Sequence, residues 1–368
     1  MSLLLTTASL CEAVWFKLLL YGNSGAGKTW RAVQARRPGD SRRVLALLTE
    51  ANGVQSARHA NPSVLLPSWP LVRRVKNAAG QIVDEPVLDV AGKPMVRHYA
   101  TKMAEVREVF SAVQNREVPD LDVLVIDGLT EVQAMMKDEM QAMKDRAVQE
   151  GKAKREALVF SKQDWGELGE KMRRLMRNLR DLPVHVISTA LAEVEVEDGE
   201  GDATIRYTVP SFQGKKLHNQ AASYNNVVAY CYTANSRNSG GTRKVDRLAM
   251  VEGPETIQCK PAHPLGGVLE QPLWEWLDML AKPPEDGAVL GRTLTDAERA
   301  ALDAAQVEGQ KQTADRRAKE QKDGGDEVDP DAPRVDLSAG QEPPKSDKPD
   351  TAATQQPGRL RRAGRPGR

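Results

Sequence analysis

The feature that most constrains this chain is an eight-residue segment, GNSGAGKT, which follows an apolar stretch predicted as a strand over Val14–Tyr21. A helix is predicted to begin at Lys28 and to end near Arg37, before Pro38-Gly39-Asp40. The segment matches G-x-x-x-x-G-K-[ST], in which glycines let backbone N–H groups surround phosphate oxygens. Its members are the candidate phosphate ligands: Gly22, Asn23, Ser24, Gly25, Ala26, Gly27, Lys28 and Thr29.

The last two residues of the segment have distinct predicted roles. Lys28 is expected to reach the β- and γ-phosphates of a nucleotide, and the Thr29 hydroxyl is expected to bind Mg²⁺. The motif therefore predicts ATP and Mg²⁺ as ligands, although no base-reading motif separates ATP from GTP. The alternative is a glycine-rich turn that binds nothing.

A second acidic group is needed beside such a loop to hold the magnesium shell. The run Leu121–Ile126 predicts a buried strand, and Asp127 follows it directly. Asp127 is the candidate that would bind Mg²⁺ through water. Because Asp-Gly is a common turn pair, an ordinary strand end is the alternative.

Hydrolysis also requires a carboxylate that orients water, and two glutamates are candidates. Glu50 follows the predicted strand Arg43–Thr49, at the edge where parallel sheets bind ligands. Glu131 begins the next predicted helix, where compensation of the helix N-terminus is the favoured explanation. Ser188 and Thr189 end a further strand, where a hydroxyl could contact the γ-phosphate or only cap the strand.

The alternation of buried strands and amphipathic helices predicts an α/β fold with a mainly parallel central sheet and helices on both faces. Residues 51–100 read as an irregular β-containing insertion, and later strands as antiparallel additions. Further predicted elements are helices over 102–116, 129–150 and 164–182, strands over 184–189, 226–232, 245–251 and 256–260, and a hairpin of 192–196 with 204–209.

The composition changes after residue 282, which we take as the end of the folded domain. A capping box, Thr295-Asp-Ala-Glu298, predicts a solvated helix from about Asp296 to Lys319. Residues 323–350 contain nine acids and three bases, and the last ten residues contain five arginines. Because such segments bury little apolar area, 283–368 is predicted to be a solvated helix and a disordered tail.

Several classes of protein are disfavoured by the same sequence. The apolar stretch Leu3–Leu20 is interrupted by Glu12 and Lys17 and has no basic residue before it, so neither a membrane span nor a signal peptide is expected. The three cysteines and five histidines show no metal-binding spacing. A cytoplasmic protein is therefore expected.

These segments together resemble the RecA-like P-loop ATPases. GNSGAGKT, Glu50, LDVLVIDGLTEV and VHVISTALAEVE carry the resemblance, and PSFQGKK with YNNVVAY adds to it. Within that class, the chain resembles phage nucleotide-binding proteins, including the Sak-type single-strand annealing recombinases. If a phage encodes it, the expected location is the host cytoplasm. The resemblance covers about residues 14–281.

The resemblance implies a role for several residues. Glu50 corresponds to the glutamate that activates water, and Thr189 lies where a polar side chain senses the γ-phosphate. Lys260 resembles the lysine of a K-x-R element that reaches a neighbouring subunit's nucleotide, which implies a homo-oligomer. However, Ala262 stands where the arginine of that element is expected, so activation in trans is in doubt.

The resemblance also implies single-stranded DNA as a partner, in recombination or replication. The segment after Thr189 is acidic and would repel phosphate, so the basic candidates are 137–162 and the arginine face of 164–182. The net charge of +1 averages such unlike parts, so any DNA contact must be local. The arginine-rich end could add DNA affinity or fold back on the acidic stretch, and the tail could bind a single-strand-binding or replication partner.

Two other functions remain open at this level. The first is a nucleotide-gated binding module with little hydrolysis, which the missing arginine favours. The second is another P-loop enzyme, either a kinase or a DNA-packaging motor. A kinase needs arginines in a lid over the phosphates, and a packaging motor usually carries a nuclease domain, neither of which is visible in the sequence.

Overall fold

The computed structural model describes residues 15–77, 80–152, 158–198, 204–214, 217–237 and 243–300 of the 368-residue chain. All of them belong to one compact unit, Met1–Ala314. In chain order, the strands are β1 (Lys17–Gly22), β2 (Arg43–Leu48), β3 (Trp69–Pro70), β4 (Val72–Lys76), β5 (Ile82–Pro86), β6 (Val96–Arg97), β7 (Leu121–Asp127), β8 (His185–Asp198), β9 (Thr204–Pro210), β10 (Val227–Arg237), β11 (Arg243–Met250) and β12 (Val268–Leu269).

The central sheet has the strand order β12-β11-β10-β1-β8-β7-β2, with β9 paired to β8. Five of its strands, β10, β1, β8, β7 and β2, are parallel to one another. Strands β11 and β12 extend one edge in antiparallel fashion, and β9 forms an antiparallel hairpin with the far half of β8. The predicted mainly parallel sheet with hairpin additions is confirmed.

Helices cover both faces of this sheet, as predicted. They are α1 (Lys28–Ala32), α2 (Ala51–Ala60), α3 (Met103–Gln114), α4 (Leu129–Gln149), α5 (Lys162–Asp181), α6 (Leu217–Tyr224) and α7 (Leu273–Ala281). Alternate residues of β1 enter different cores, because successive side chains of a strand point to opposite faces. Leu19 and Tyr21 pack with α3 to α6, whereas Leu18 and Leu20 pack with α1, α2 and α7.

The parallel arrangement brings several strand ends to one edge of the sheet. Gly22, Leu48 and Asp127 are the last residues of β1, β2 and β7. The register pairs Leu48 with Asp127 and Leu20 with Thr189 of the continuing strand β8. The loop GNSGAGKT therefore leaves the sheet beside the carboxyl ends of two other strands.

Some elements differ from the sequence prediction. The helix predicted to reach Arg37 ends at Ala32, and 256–260 forms only isolated bridges, Thr208–Ile257 and Val228–Lys260, instead of a strand. The separate strands predicted over 184–189 and 192–196 are one continuous strand, β8. In the 51–100 segment, α2 is followed by two small antiparallel ladders, β3–β6 and β4–β5.

The chain remains in contact with the domain beyond residue 282. Backbone bridges join Leu290 to Leu265 and Arg292 to Val268. The predicted capping box is present, since Glu298 N–H donates to Thr295 Oγ1 at 3.2 Å and Thr295 N–H donates to a Glu298 carboxylate oxygen at 2.9 Å. Most of the predicted solvated helix and the whole predicted tail lie in 301–368, outside the described residues.

Among the described residues, every helix is too short or too polar to span a bilayer.

A matched pair of glycine substitutions tests how closely β1 approaches β10 where the loop begins. A Cβ atom on Gly22 would lie 2.2 Å from the backbone oxygen of Cys231, whereas one on exposed Gly166 in α5 would meet no atom within 4 Å. We expect Gly22→Ala to lower the free energy of unfolding by about 1–3 kcal/mol, because a backbone atom cannot move aside cheaply. Gly166→Ala should raise it by about 0.5–1 kcal/mol through helix propensity. Equilibrium urea unfolding measures both, and a neutral Gly22→Ala would contradict the close approach of β1 and β10.

Candidate functional site

In the loop between β1 and α1, the lysine at the end of the loop binds backbone oxygens at its start. Gly25 and Gly27 have φ angles of 80° and 84°, which favour glycine. The Lys28 ammonium donates to the carbonyl oxygens of Gly22 and Asn23, each at 2.9 Å. Burial lowers the pKa of Lys28, while nearby anionic groups, Asp127 and Glu50 among them, act in the opposite direction. The loop thus has the shape of a phosphate cradle, with one cation at its centre.

Asp127 is buried at the end of β7, where two hydroxyl groups hold its carboxylate. Thr29 Oγ1 donates to Oδ2 at 2.7 Å, and Thr189 Oγ1 donates to Oδ1 at 2.6 Å. The three side chains come from the start of α1 and from two adjacent strands, β7 and β8. The structure therefore brings three of the sequence-predicted residues into direct contact.

Thr49 fixes the backbone on the other side of the same carboxylate. Its N–H and its Oγ1 both donate to the Asp127 carbonyl oxygen, at 2.7 Å and 2.9 Å, and Gly128 N–H donates to Thr49 Oγ1 at 3.0 Å. Thr49 directly precedes Glu50, so these bonds also place Glu50 beside Asp127. The sequence prediction did not identify Thr49, which could be found only from the pairing of β2 with β7.

Burial makes the ionised form of the Asp127 carboxyl group less favourable. Burial raises its pKa, whereas the hydroxyl donors Thr189 and Thr29 and the Lys28 ammonium lower it in part. A group in this environment is stabilised as an anion by a nearby cation.

The donors at this point fit a magnesium ion. Thr29 and Asp127 offer hard oxygen ligands side by side, and the described residues contain no cluster of three His, Cys, Asp or Glu side chains. Magnesium in nucleotide sites is commonly held by one or two protein oxygens, with phosphates and waters completing the shell. Thr29 would hold the ion directly and Asp127 through water. Bound there, Mg²⁺ would neutralise charge on the β- and γ-phosphates.

A cavity of about 460 Å³ opens above these residues. Glu50 and Glu131 both line it, together with Lys28, Thr29 and Thr189. Partial burial raises the pKa of Glu131, and repulsion from Glu50 and Asp138 adds to the effect. Both candidate carboxylates thus face the space next to the cradle, so the geometry does not restrict Glu131 to compensating its helix N-terminus.

Lys260 lies outside the lining of this cavity. Its ammonium donates to the carbonyl oxygens of Asn225, at 2.5 Å, and Ala222, at 3.3 Å, at the end of α6. Its backbone pairs with Val228 of β10. The structure therefore gives Lys260 a contact within its own chain, and its predicted role in a neighbouring subunit's site stays a prediction.

Among the cavity-lining residues that the sequence prediction did not identify, two have large side chains that lie next to the loop. Trp30 follows Thr29 on α1, and Arg247 comes from β11 at the antiparallel edge of the sheet. The alternation of Val245, Arg247 and Ala249 predicts a shared face for these residues, but no local pattern relates that face to the loop. Only the strand order, which places β11 two strands from β1, brings Arg247 to the site.

Comparison with known proteins agrees with this geometry. A family model described as an AAA domain matches residues 16–260. A search of curated proteins gives no match. The matched segment contains the phosphate cradle, Asp127 with its hydroxyl donors, and both candidate glutamates, and it covers more than half of the chain. The chain therefore belongs to the AAA domain family of P-loop ATPases.

Proposed function

We propose that the protein hydrolyses ATP with Mg²⁺ and acts on single-stranded DNA in recombination or replication, in the manner of the Sak-type phage proteins that its sequence resembles. One observation carries the nucleotide part of this proposal. Thr29, Asp127 and Thr189 form one hydrogen-bonded unit next to Lys28, at the mouth of a cavity that two glutamates line.

The chain's own residues suffice for the main steps of phosphoryl transfer to water. Lys28 and the loop N–H groups would hold the β- and γ-phosphates, and Thr189, which lines the same cavity, would contact the γ-phosphate. Glu50 would orient the attacking water, with Glu131 as the second carboxylate in reach. Catalysis of this kind rests on positioning and on charge stabilisation.

The support for single-stranded DNA comes from the sequence resemblance, and the surface charges narrow where contact would occur. On the arginine face of α5, Glu170 pairs with Arg173 and Arg177 at 3.2 Å and 2.8 Å, so this one carboxylate offsets only part of their charge. A second candidate lies at the start of α5, where aromatic rings accompany a cation. There the Lys137 ammonium lies 5.1 Å from the ring centre of Trp165, which packs against Phe160. Aromatic rings beside cations are typical of single-strand binding surfaces.

A nucleotide-gated binding module with slow hydrolysis is the second candidate function. The observation that favours it is that the K-x-R element lacks its arginine and that its lysine has partners within the chain. Ala262 replaces the arginine, and the Lys260 ammonium is already bonded to carbonyl groups of its own chain. Under this proposal ATP would order a surface for a partner. A homo-oligomer, and a single-strand-binding or replication partner that binds the C-terminal tail, belong to either proposal.

The central test compares ATP hydrolysis with and without single-stranded DNA. We expect DNA to stimulate the wild-type protein and Lys28→Ala to lower hydrolysis by at least about 100-fold, because the variant removes the cation at the phosphates. Lys93→Ala, an exposed lysine outside the cavity lining, is the matched control and should keep full activity. Phosphate release measured at equal protein concentration provides the readout.

Three results of this experiment would separate the candidates. Stimulation by DNA supports the first proposal. Tight ATP binding without hydrolysis, with and without DNA, supports the gated module. Equal hydrolysis with and without DNA, together with no retention of DNA at low salt, would contradict the role on DNA.

A second pair of variants assigns the water-orienting carboxylate. We expect Glu50→Gln to lower the hydrolysis rate by about 10²–10⁴-fold with ATP affinity nearly unchanged, because the amide cannot accept a proton from water. Glu131→Gln is the matched control in the same cavity lining and should lower the rate less than about tenfold. Single-turnover hydrolysis and nucleotide titration measure the two effects. The reverse order of the two variants would assign the role to Glu131.

A further inference from the structure

One part of the nucleotide site remains without an assigned partner, namely the end that holds the nucleoside. Lys28, Thr29 and Asp127 define the phosphate end, and Glu50 and Glu131 line the same cavity. Trp30 and Arg247 line the same cavity next to the loop. Within its described lining, Trp30 is the one aromatic side chain, and Arg247 is the one cation besides Lys28.

Arg247 lies directly against the phosphate cradle. A Cβ atom on Gly27 would come within 2.4 Å of Arg247 Cδ and 3.0 Å of its Nε. The aliphatic part of Arg247 therefore crosses the last glycine of the loop, and its guanidinium carbon lies 5.9 Å from the ring centre of Trp30. The two side chains thus form a pair at the edge of the cradle.

The backbone at Arg247 is fixed to α1 by a buried neighbour. Arg31 is 2% exposed, and its guanidinium donates to the Arg247 carbonyl oxygen and to the Gln271 carbonyl oxygen, each at 2.6 Å. Because Arg31 and Trp30 are adjacent on α1, this bond sets the position of Arg247 relative to Trp30. The pairing is therefore a feature of the fold, although the Arg247 side chain is exposed.

Both members of the pair remain accessible to a ligand. Trp30 is 37% exposed. Among the described contacts, the Arg247 guanidinium makes no hydrogen bond and no ion pair. Its contact with the Trp30 ring is a cation–π contact. By contrast, the guanidinium groups of Arg31 and Arg97 are fully engaged with carbonyl or carboxylate oxygens.

The spacing of the pair suits a planar ring with a small adjustment. Stacked atoms are separated by about 3.5–4.0 Å, so a ring between the two groups needs about 7–8 Å. The present 5.9 Å would have to widen by about 1–2 Å, which a long side chain without hydrogen bonds can provide. A base would then replace the tryptophan ring as the group facing the guanidinium.

We propose that Trp30 and Arg247 form the nucleoside subsite, in which the base of the nucleoside triphosphate stacks on the Trp30 ring and the Arg247 guanidinium covers its other face. This inference rests on the proposed nucleotide-binding function. Stacking and cation–π contact involve the faces of a base and do not read its edge. The subsite is therefore expected to show little preference between ATP and GTP.

The test compares ATP with inorganic triphosphate, which has the phosphates but no nucleoside. We expect Trp30→Ala to weaken binding of Mg²⁺–ATP about tenfold or more in the full-length protein and to leave triphosphate affinity unchanged. Arg247→Ala should weaken ATP about threefold to tenfold with the same selectivity. Trp30→Phe should retain most of the affinity, because it keeps an aromatic face. Calorimetric titration measures all of these constants.

A second tryptophan–arginine pair provides a matched control. The Arg37 guanidinium lies 5.0 Å from the ring centre of Trp274, outside the cavity lining. Trp274→Ala and Arg37→Ala should leave ATP and triphosphate binding unchanged. Wild-type ATP and GTP affinities should differ by no more than a few fold.

Each alternative outcome overturns a defined part of this account. Equal losses of ATP and triphosphate affinity in Arg247→Ala would place the arginine on the phosphates and overturn its role in the subsite. An unchanged ATP affinity in Trp30→Ala would overturn the stacking role of Trp30. If the wild-type protein binds triphosphate but binds ATP no more tightly, the subsite is absent although the cradle functions. If it binds neither, the proposed function fails and the subsite fails with it.

Discussion

The carboxylate of Asp127 is buried at the end of β7, and threonine hydroxyl groups from two other elements donate hydrogen bonds to its two oxygens. An isolated buried charge is costly, and hydrogen-bond donors offset only part of that cost. The raised pKa of Asp127 has this origin, because burial outweighs the donors and the nearby Lys28 ammonium. The site is thus built to gain from a cation that lies next to the carboxylate.

This single group depends on most of the central sheet. Asp127 reaches Thr189 only because β7 and β8 are adjacent and parallel, and it reaches Thr29 only because β1 lies on the other side of β8. Thr49 holds the Asp127 backbone through the pairing of β2 with β7. The order β1-β8-β7-β2 is therefore the structural condition for a magnesium–nucleotide site at this edge.

Local sequence patterns were sufficient for the parts of the site that one segment contains. GNSGAGKT and the strand ending in Asp127 each have a strong short-range signature, and Glu50 and Thr189 could be placed because strand ends gather at one edge of a parallel sheet. The starts of the buried strands were predicted within a few residues, since continuous apolar runs are typical of strands covered on both faces, whereas β8 and β10 extend well past their predicted ends.

Contacts between distant segments could not be obtained from those patterns. Arg247 is 220 residues from Gly27 in the chain, and only the position of β11 in the sheet brings it to the loop. The segment 256–260 has the composition of a strand but makes only isolated bridges, one of which pairs Lys260 with Val228. The hydrogen bonds of the Lys260 ammonium to Asn225 and Ala222 likewise depend on where α6 ends. The residues around Lys260 contain no information about the end of α6.

The role of Asp127 can be tested by measuring how Mg²⁺ changes ATP affinity in the wild-type protein and in Asp127→Asn, a substitution of equal size that removes the charge. We expect Mg²⁺ to strengthen ATP binding to the wild-type protein, and we expect the Asn variant to lose this effect while its affinity for ATP without magnesium does not fall. Because burial raises the pKa of Asp127, the wild-type effect should also grow as the pH rises through that pKa and the carboxylate becomes ionised. A magnesium effect of the same size in the Asn variant would contradict the assignment of Asp127 to the metal shell.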